Sequence, residues 1–269
     1  MSESTVFCGC SYTKGIGLEL EDSDPNLWVN ILHQSIPQLS ITKLINAGKG
    51  GATNEDIFLS ALDNIINNQT CKYFFVAFTN PKRMCVNPSV ELYQTEIYLE
   101  RSKIEDIKIN PNITVPGSYV ENIRDRFFDL THFHYDILKI LHYTRLIAQS
   151  ATRFNIKVFF INSILRIDKN YFEHIISPSR LPSDTTPLTQ QSLNAKTRND
   201  REYFQLYDKI HLDYKNTGGL TYNWLNLDKG FKTDFYLDKG NDNLHPGPDS
   251  NHAFANFLIE KLTDWQQWR

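Results

Sequence analysis

A chain of 269 residues with 41% hydrophobic and 22% charged side chains has the composition of a folded globular protein, not of a disordered or fibrous one. Its 28 Lys and Arg against 31 Asp and Glu leave a formal net charge of −3. Without a long basic block a dedicated nucleic-acid binder is disfavoured, because neutralising phosphates needs a basic surface. No apolar run approaches the roughly 18–20 residues that span a bilayer.

Met1–Thr5 has no basic n-region and the first apolar run is only a strand long, so the expectation is no membrane segment, no secretory signal and a cytoplasmic location. The four cysteines, Cys8, Cys10, Cys71 and Cys85, lack zinc-knuckle spacing. Buried thiols in a reducing compartment are their plainest reading, with a disulfide or metal site as the alternative.

In chain order, Thr5–Cys10 is a short apolar strand that ends in the polar turn Ser11–Gly15. Asn26–Ile36 reads as a helix with Leu27, Ile31, Leu32 and Ser35 near one stripe. Ile41–Ile45 is strand-like and runs into the Gly-rich turn Asn46–Gly51. Thr53 or Asn54 can cap the next helix, whose Ile57, Ala61 and Ile65 recur at i, i+4 and i+8. Lys72–Phe78 is a continuous apolar run of strand length, as expected of a strand buried on both faces of a parallel sheet.

The strongest helical periodicity is that of Ile137, Ile140, Leu141, Thr144, Ile147, Ala148 and Ala151. It leads into Lys157–Ile161, another buried-strand candidate, and a last helix carries Phe254, Leu258, Leu262 and Trp265. Strands alternating with helices predict an α/β fold: a three-layer α/β/α sandwich around a doubly wound parallel sheet. One domain over residues 1–269 is expected, with insertions at about 81–130 and 164–238, the second holding a helix near Asn199–Asp213. Both follow strands, so they are either surface additions or walls of a pocket at the carboxyl edge of the sheet.

That edge also gathers the polar loops. Ser11 follows the first strand, Asn46–Asn54 the second and Thr79-Asn80-Pro81 the third, while Asp242-Asn243-Leu244-His245-Pro246-Gly247 precedes the last helix. Acyl transfer to a serine needs a base for its proton, a carboxylate to orient the base, and donors for the oxyanion. Histidine suits the base because its ordinary pKa is near neutral. The Asp-x-x-His spacing lets one turn of chain set the carboxylate beside the imidazole.

These blocks resemble the SGNH (GDSL-type) hydrolase family: a Ser after the first strand, a glycine in N-x-x-x-x-G-x-T after the second, an Asn after the third, and D-x-x-H-P near the end. The resemblance implies Ser11 as nucleophile, His245 as base and Asp242 as its acid partner. It implies an oxyanion hole made of the Ser11 N–H, Gly51 and Asn80, a flavodoxin-like sandwich, and no metal or other cofactor. An ester of a small molecule or carbohydrate, with a short acyl or acetyl group, is the implied substrate. Two blocks depart from the family: Cys10 stands where the first block has aspartate, and Phe78-Thr79-Asn80-Pro81 replaces G-x-N-D. A non-catalytic binding module on the same fold and an acyltransferase are the competing readings.

Taken singly, each residue has a blander use. Ser11 could cap a turn, Gly51 could serve a positive-φ turn, and Asn80 could make a local turn hydrogen bond. Gly48 and Gly50 fit chain reversal and match neither the dinucleotide nor the Walker pattern. Arg83 is a weak candidate for a substrate anion contact. Thr131–Asp136 contains two histidines but reads as the start of a helix, since positions two apart do not share a helix face. His252 reads as a packing or capping residue, and Tyr203, Phe204 and Tyr207 as helix core before a groove lining.

Overall fold

The computed structural model describes residues 2–68, 70–80, 83–86, 97–100, 133–164, 223–226 and 229–263. The helix expected near Asn199–Asp213, the aromatic residues Tyr203, Phe204 and Tyr207, and Trp265 lie outside them. Four parallel strands form the central sheet: β1 (Ser4–Gly9), β2 (Lys43–Gly48), β3 (Cys71–Phe78) and β6 (Lys157–Asn162), in the order β2-β1-β3-β6. The chain adds β2 on one side of β1 and β3 on the other. That reversal makes the sheet doubly wound and puts its switch point beside the end of β1.

Helices cover both faces, and β1 shows how alternation assigns them. Phe7 faces α2 (Trp28–Ser35), meeting the Trp28 ring edge-on at 5.7 Å, and Trp28 in turn meets Phe254 of α7 (Pro248–Thr263) at 5.5 Å. Cys8 faces the other way and its thiol donates to the Ile57 carbonyl of α4 (Asn54–Asn67) at 3.5 Å. The sandwich is therefore α2 and α7, then the sheet, then α4 and α5 (Phe133–Arg153). On the α2–α7 side Phe7, Phe75 and Phe159 stand at matching register on adjacent strands and stack at 4.5 and 4.8 Å. Offset stacking across neighbouring strands adds to the burial of three large rings.

Local sequence accounts for the helices. Thr53 is the N-cap of α4: its hydroxyl accepts from the Asp56 N–H while the Asp56 carboxylate accepts from the Thr53 N–H, a capping box that satisfies donors on both sides of the helix start. Ile57, Ala61 and Ile65 are its buried apolar residues, as their spacing predicts. Helix α5 buries Ile140, Leu141, Thr144, Ile147 and Ala151, and its Tyr143 stacks on Phe58 of α4 at 4.3 Å. Helix α7 buries Phe254, Leu258 and Leu262. None of the described helices is long and apolar enough to cross a membrane.

Several expectations need correction. Ser35 is exposed, because α2 turns Trp28, Val29 and Leu32 inward. Ile41 is 78% exposed and precedes a strand that begins only at Lys43, after the short helix α3 (Pro37–Ser40). Within the expected insertion at about 81–130, β4 (Arg83–Val86) and β5 (Ile97–Glu100) form an antiparallel pair that the Pro- and Asn-rich composition concealed.

Part of the second expected insertion, 164–238, lies beside the sheet. Asn223–Asn226 runs alongside β6, with Phe160 N–H donating to Asn223 O and Leu225 N–H donating to Phe160 O, both at 2.9 Å. Asn226 is fully buried: its Oδ1 accepts from the Asn162 N–H and its Nδ2 donates to the Asn162 carbonyl, both at 2.8 Å. Phe231, in the short helix α6 (Phe231–Asp234), is fully buried as well, stacked on Phe254 at 4.3 Å. These residues extend the sheet and its core.

Candidate active site

Strands β1, β2 and β3 all end at one edge, and side-chain clasps bind their loops together there. Beyond β1, Cys10 precedes α1 (Ser11–Lys14), so Ser11 is the first residue of a short helix and its N–H has no intrahelical acceptor. Asn46 of β2 donates through Nδ2 to the Thr13 carbonyl at 2.8 Å, and the Lys49 N–H donates to Gly9 O at 3.0 Å. Gly51 follows with φ of +73°, the left-handed region that favours glycine. Beyond β3, the Thr79 N–H donates to Asn54 Oδ1 and Asn54 Nδ2 donates back to the carbonyls of Thr79 and Asn80. The first two blocks and the third are thus held against one another by Asn46 and Asn54.

Cys10, which stands in the place of the expected aspartate, is fully buried with its thiol 3.7 Å from Ser163 Oγ. Ser163 donates to the Phe78 carbonyl at 2.7 Å, so this pair ties the end of β1 to those of β3 and β6. Cys8, Cys10 and Cys71 are free, buried thiols. Burial raises the pKa of Cys8 to about 11 and that of Cys71 to about 12, which keeps both protonated and unreactive at neutral pH. Among the described residues no cluster of His, Cys, Asp and Glu has the arrangement of a metal site.

The fourth loop brings the imidazole. Asp242 Oδ1 accepts from the N–H groups of Leu244 and His245 at 3.0 and 2.9 Å, and its Oδ2 lies 2.5 Å from His245 Nδ1. Both residues are partly exposed, at 32% for the carboxylate and 21% for the ring. Partial burial pushes the Asp242 pKa upward, but the two backbone donors and the imidazole outweigh it and bring the value down to about 2. The carboxylate is therefore ionised at neutral pH and can only accept, so Nδ1 carries a proton and donates it, leaving Nε2 as the ring's other functional nitrogen.

Four sets of contacts hold this loop. Gly240 N–H donates to His245 O at 2.8 Å and closes the turn. Asp238 accepts from the N–H groups of Asp249 and Ser250 and from the Ser250 hydroxyl, fastening the loop to the start of α7. Tyr12 meets the His245 ring edge-on at 5.6 Å, and the Asn241 N–H donates to Gly17 O at 2.7 Å. The chain's first and last blocks therefore meet at one edge of the sheet.

The expected site residues stand there as follows. Asp242 and His245 are paired, and His245 packs on Tyr12, the residue after Ser11. Among the described residues no hydrogen bond joins the Ser11 hydroxyl to His245. Asn80 is buried behind the Asn54 clasp. His252 instead meets Asn26, Nε2 to Oδ1 at 3.2 Å. Arg83 belongs to β4, and the Thr131–Asp136 stretch leads into α5, which begins at Phe133. Sequence reasoning gave Tyr12, Gly17 and Asp238 no part in the site and took Asn54 only as a possible helix cap or a residue of the second loop.

The class defined by this fold and site is a doubly wound α/β/α sandwich with a histidine–aspartate pair docked, through Tyr12 and Gly17, on the segment that follows its first strand. No protein-family model matches the chain and no curated protein matches it. Solved structures similar to it over nearly their whole lengths include one described as a lipolytic protein of the G-D-S-L family from Desulfitobacterium hafniense, at 11% identity and TM-score 0.42, covering 96% of this chain and 98% of that one. Two others are the lipase/acylhydrolase from Enterococcus faecalis (15%, TM-score 0.43) and an alpha/beta hydrolase enzyme from the metagenome of Lake Arreo, Spain (15%, TM-score 0.44). Each of these two covers 97% of this chain and 95% of its own. With likenesses so distant, the fold rests on the sheet order above and the site on its own contacts.

Proposed function

We propose that the chain is a metal-independent serine esterase of SGNH type, acting on a short acyl ester of a small molecule or carbohydrate. The observation that carries this reading is the His245–Asp242 pair seated on the Ser11 segment through the Tyr12 ring. In the proposed reaction His245 Nε2 takes the Ser11 proton as Oγ attacks the ester carbonyl. Asp242 holds the tautomer and offsets the imidazolium charge. His245 then returns the proton to the departing alcohol, and water, deprotonated by His245, releases the acid from acyl-Ser11.

The oxyanion is assigned to the N–H groups of Ser11 and Gly51, with the Asn80 amide as third donor. In support, neither of these two N–H groups donates to an acceptor among the described residues. Proton transfer needs Ser11 Oγ and His245 Nε2 within about 2.6–3.2 Å, a closeness that free enzymes often reach only with substrate bound.

Labelling with a fluorophosphonate probe tests the proposal. An adduct on Ser11, abolished in Ser11→Ala and much reduced in His245→Ala, is the expected result. A folded wild-type protein that never labels leaves the binding-module reading, and an acceptor sugar that captures the acyl group would point to a transferase.

A further inference from the structure

Gly17 has φ of +96°, and a Cβ built there would stand 2.8 Å from His245 Cβ and 3.0 Å from Asp242 Oδ1. Real Cβ atoms do not approach so closely, so the imidazole–carboxylate pair occupies the space that a side chain at 17 would take. The Gly17 carbonyl accepts from the Asn241 N–H at 2.7 Å, which fixes the same segment to the loop bearing the pair. A Cβ at Gly240 would meet that carbonyl at 2.5 Å, so the two backbones touch at glycine on both sides.

Tyr12 forms the adjoining wall. Its ring meets His245 at an interplanar angle of 86° and Phe231 at 5.5 Å, and its carbonyl accepts from Trp28 Nε1 at 3.0 Å. Phe231 stacks on Phe254 of α7, so the wall is continuous with the core. Helix α1, which begins with Ser11, is thereby bracketed: Tyr12 within it and Gly17 just beyond it both press on the pair.

We propose that Gly17 and Tyr12 are positioning residues that set the distance and ring angle of His245 relative to Ser11, Gly17 by omitting a side chain and Tyr12 by supplying an aromatic edge. This rests on the esterase reading for its catalytic consequence, but not for its structural one. Near a reacting centre a displacement of about 1 Å costs on the order of 100-fold in rate.

The test follows two signals in the intact chain: the low-field NMR resonance of the His245 Nδ1 proton, assigned by its loss in Asp242→Asn, and the rate of fluorophosphonate labelling of Ser11. In Gly17→Ala the resonance is expected to move or vanish and labelling to slow on the order of 10- to 100-fold. Asn155→Ala supplies the control. Asn155 also has positive φ, at 56°, but lies just before β6 at the opposite edge of the sheet. Its substitution is expected to lower stability through the same backbone penalty while leaving both signals as in wild type.

A Gly17→Ala protein with an unmoved resonance, or an Asn155→Ala protein that shifts it equally, overturns the proposal. Should Gly17→Ala fail to fold, Tyr12→Leu decides: an unchanged resonance there overturns the proposal, and a displaced one supports it. A wild-type chain that never labels defeats the esterase reading alone, since the resonance still reports on the seat of His245.

Discussion

Asn54 and Thr79 exchange a pair of hydrogen bonds across the gap between α4 and β3. Asn54 Oδ1 accepts from the Thr79 N–H at 2.8 Å, and Asn54 Nδ2 donates to the Thr79 carbonyl at 3.2 Å. The same Nδ2 reaches the Asn80 carbonyl at 3.3 Å, so one side chain sets the direction in which the chain leaves β3. Asn54→Ala strands a buried N–H, which costs about 1–3 kcal/mol. Urea unfolding is expected to show that loss, and labelling of Ser11 is expected to slow in the same variant because the proposed Asn80 donor loses its support.

The lowered pKa of Asp242 has a definite sign for stability. Its carboxyl ionises near pH 2 in the folded chain, against about 3.9 for an unperturbed aspartate. The contribution is fully present above the unfolded value and disappears as pH falls from about 4 through about 2. Urea melts of wild type and Asp242→Asn are expected to differ most above pH 5 and to converge toward pH 2. A gap that widens on acidification would contradict the assignment.

Trp28 joins three parts of the molecule: its ring meets Phe7 and Phe254, and its Nε1 donates to Tyr12 O. Trp28→Phe keeps much of the apolar volume but removes the donor, with an expected cost of about 0.5–1.5 kcal/mol from the lost hydrogen bond. Trp28→Ala adds a cavity and is expected to cost about 3–5 kcal/mol. Thermal melts of the two variants separate the terms.

Asn226 satisfies both backbone groups of Asn162 at the end of β6. Asn226→Ala leaves a buried N–H and a buried carbonyl without that partner, at about 1–3 kcal/mol each. Hydrogen exchange at the Asn162 amide is expected to accelerate, while amides in the middle of β1 stay protected.

Much of this fold was legible because burial imposes periodicity. Lys72–Phe78 reads as a doubly buried strand since nothing polar interrupts it, and Ile57, Ala61 and Ile65 fix the inward face of α4. Ser35 misled because the stripe was drawn one position off: Trp28 and Val29, not Ser35, complete the buried face with Leu32. Asn223–Asn226 was hidden for a different reason. Its place beside β6 depends on the Asn162–Asn226 exchange, between residues 64 positions apart that carry no pattern of their own.

In the site, Asp242 and His245 were readable because three residues of spacing suffice to pair them. Gly17 and Tyr12 were not, since what they touch belongs to a segment more than 200 positions away.

Trp28 N–H donates to Asn251 Oδ1 across 223 positions of chain, and α7 carries the loop of His245 into place. A ribosome must therefore pass Asn251 before this anchor can form and the His245 loop can settle against the Ser11 segment. Contacts of such separation form slowly, so on the proposed reading a nascent chain stalled before Asn251 is expected to be inert, its serine made long before the imidazole is held in place.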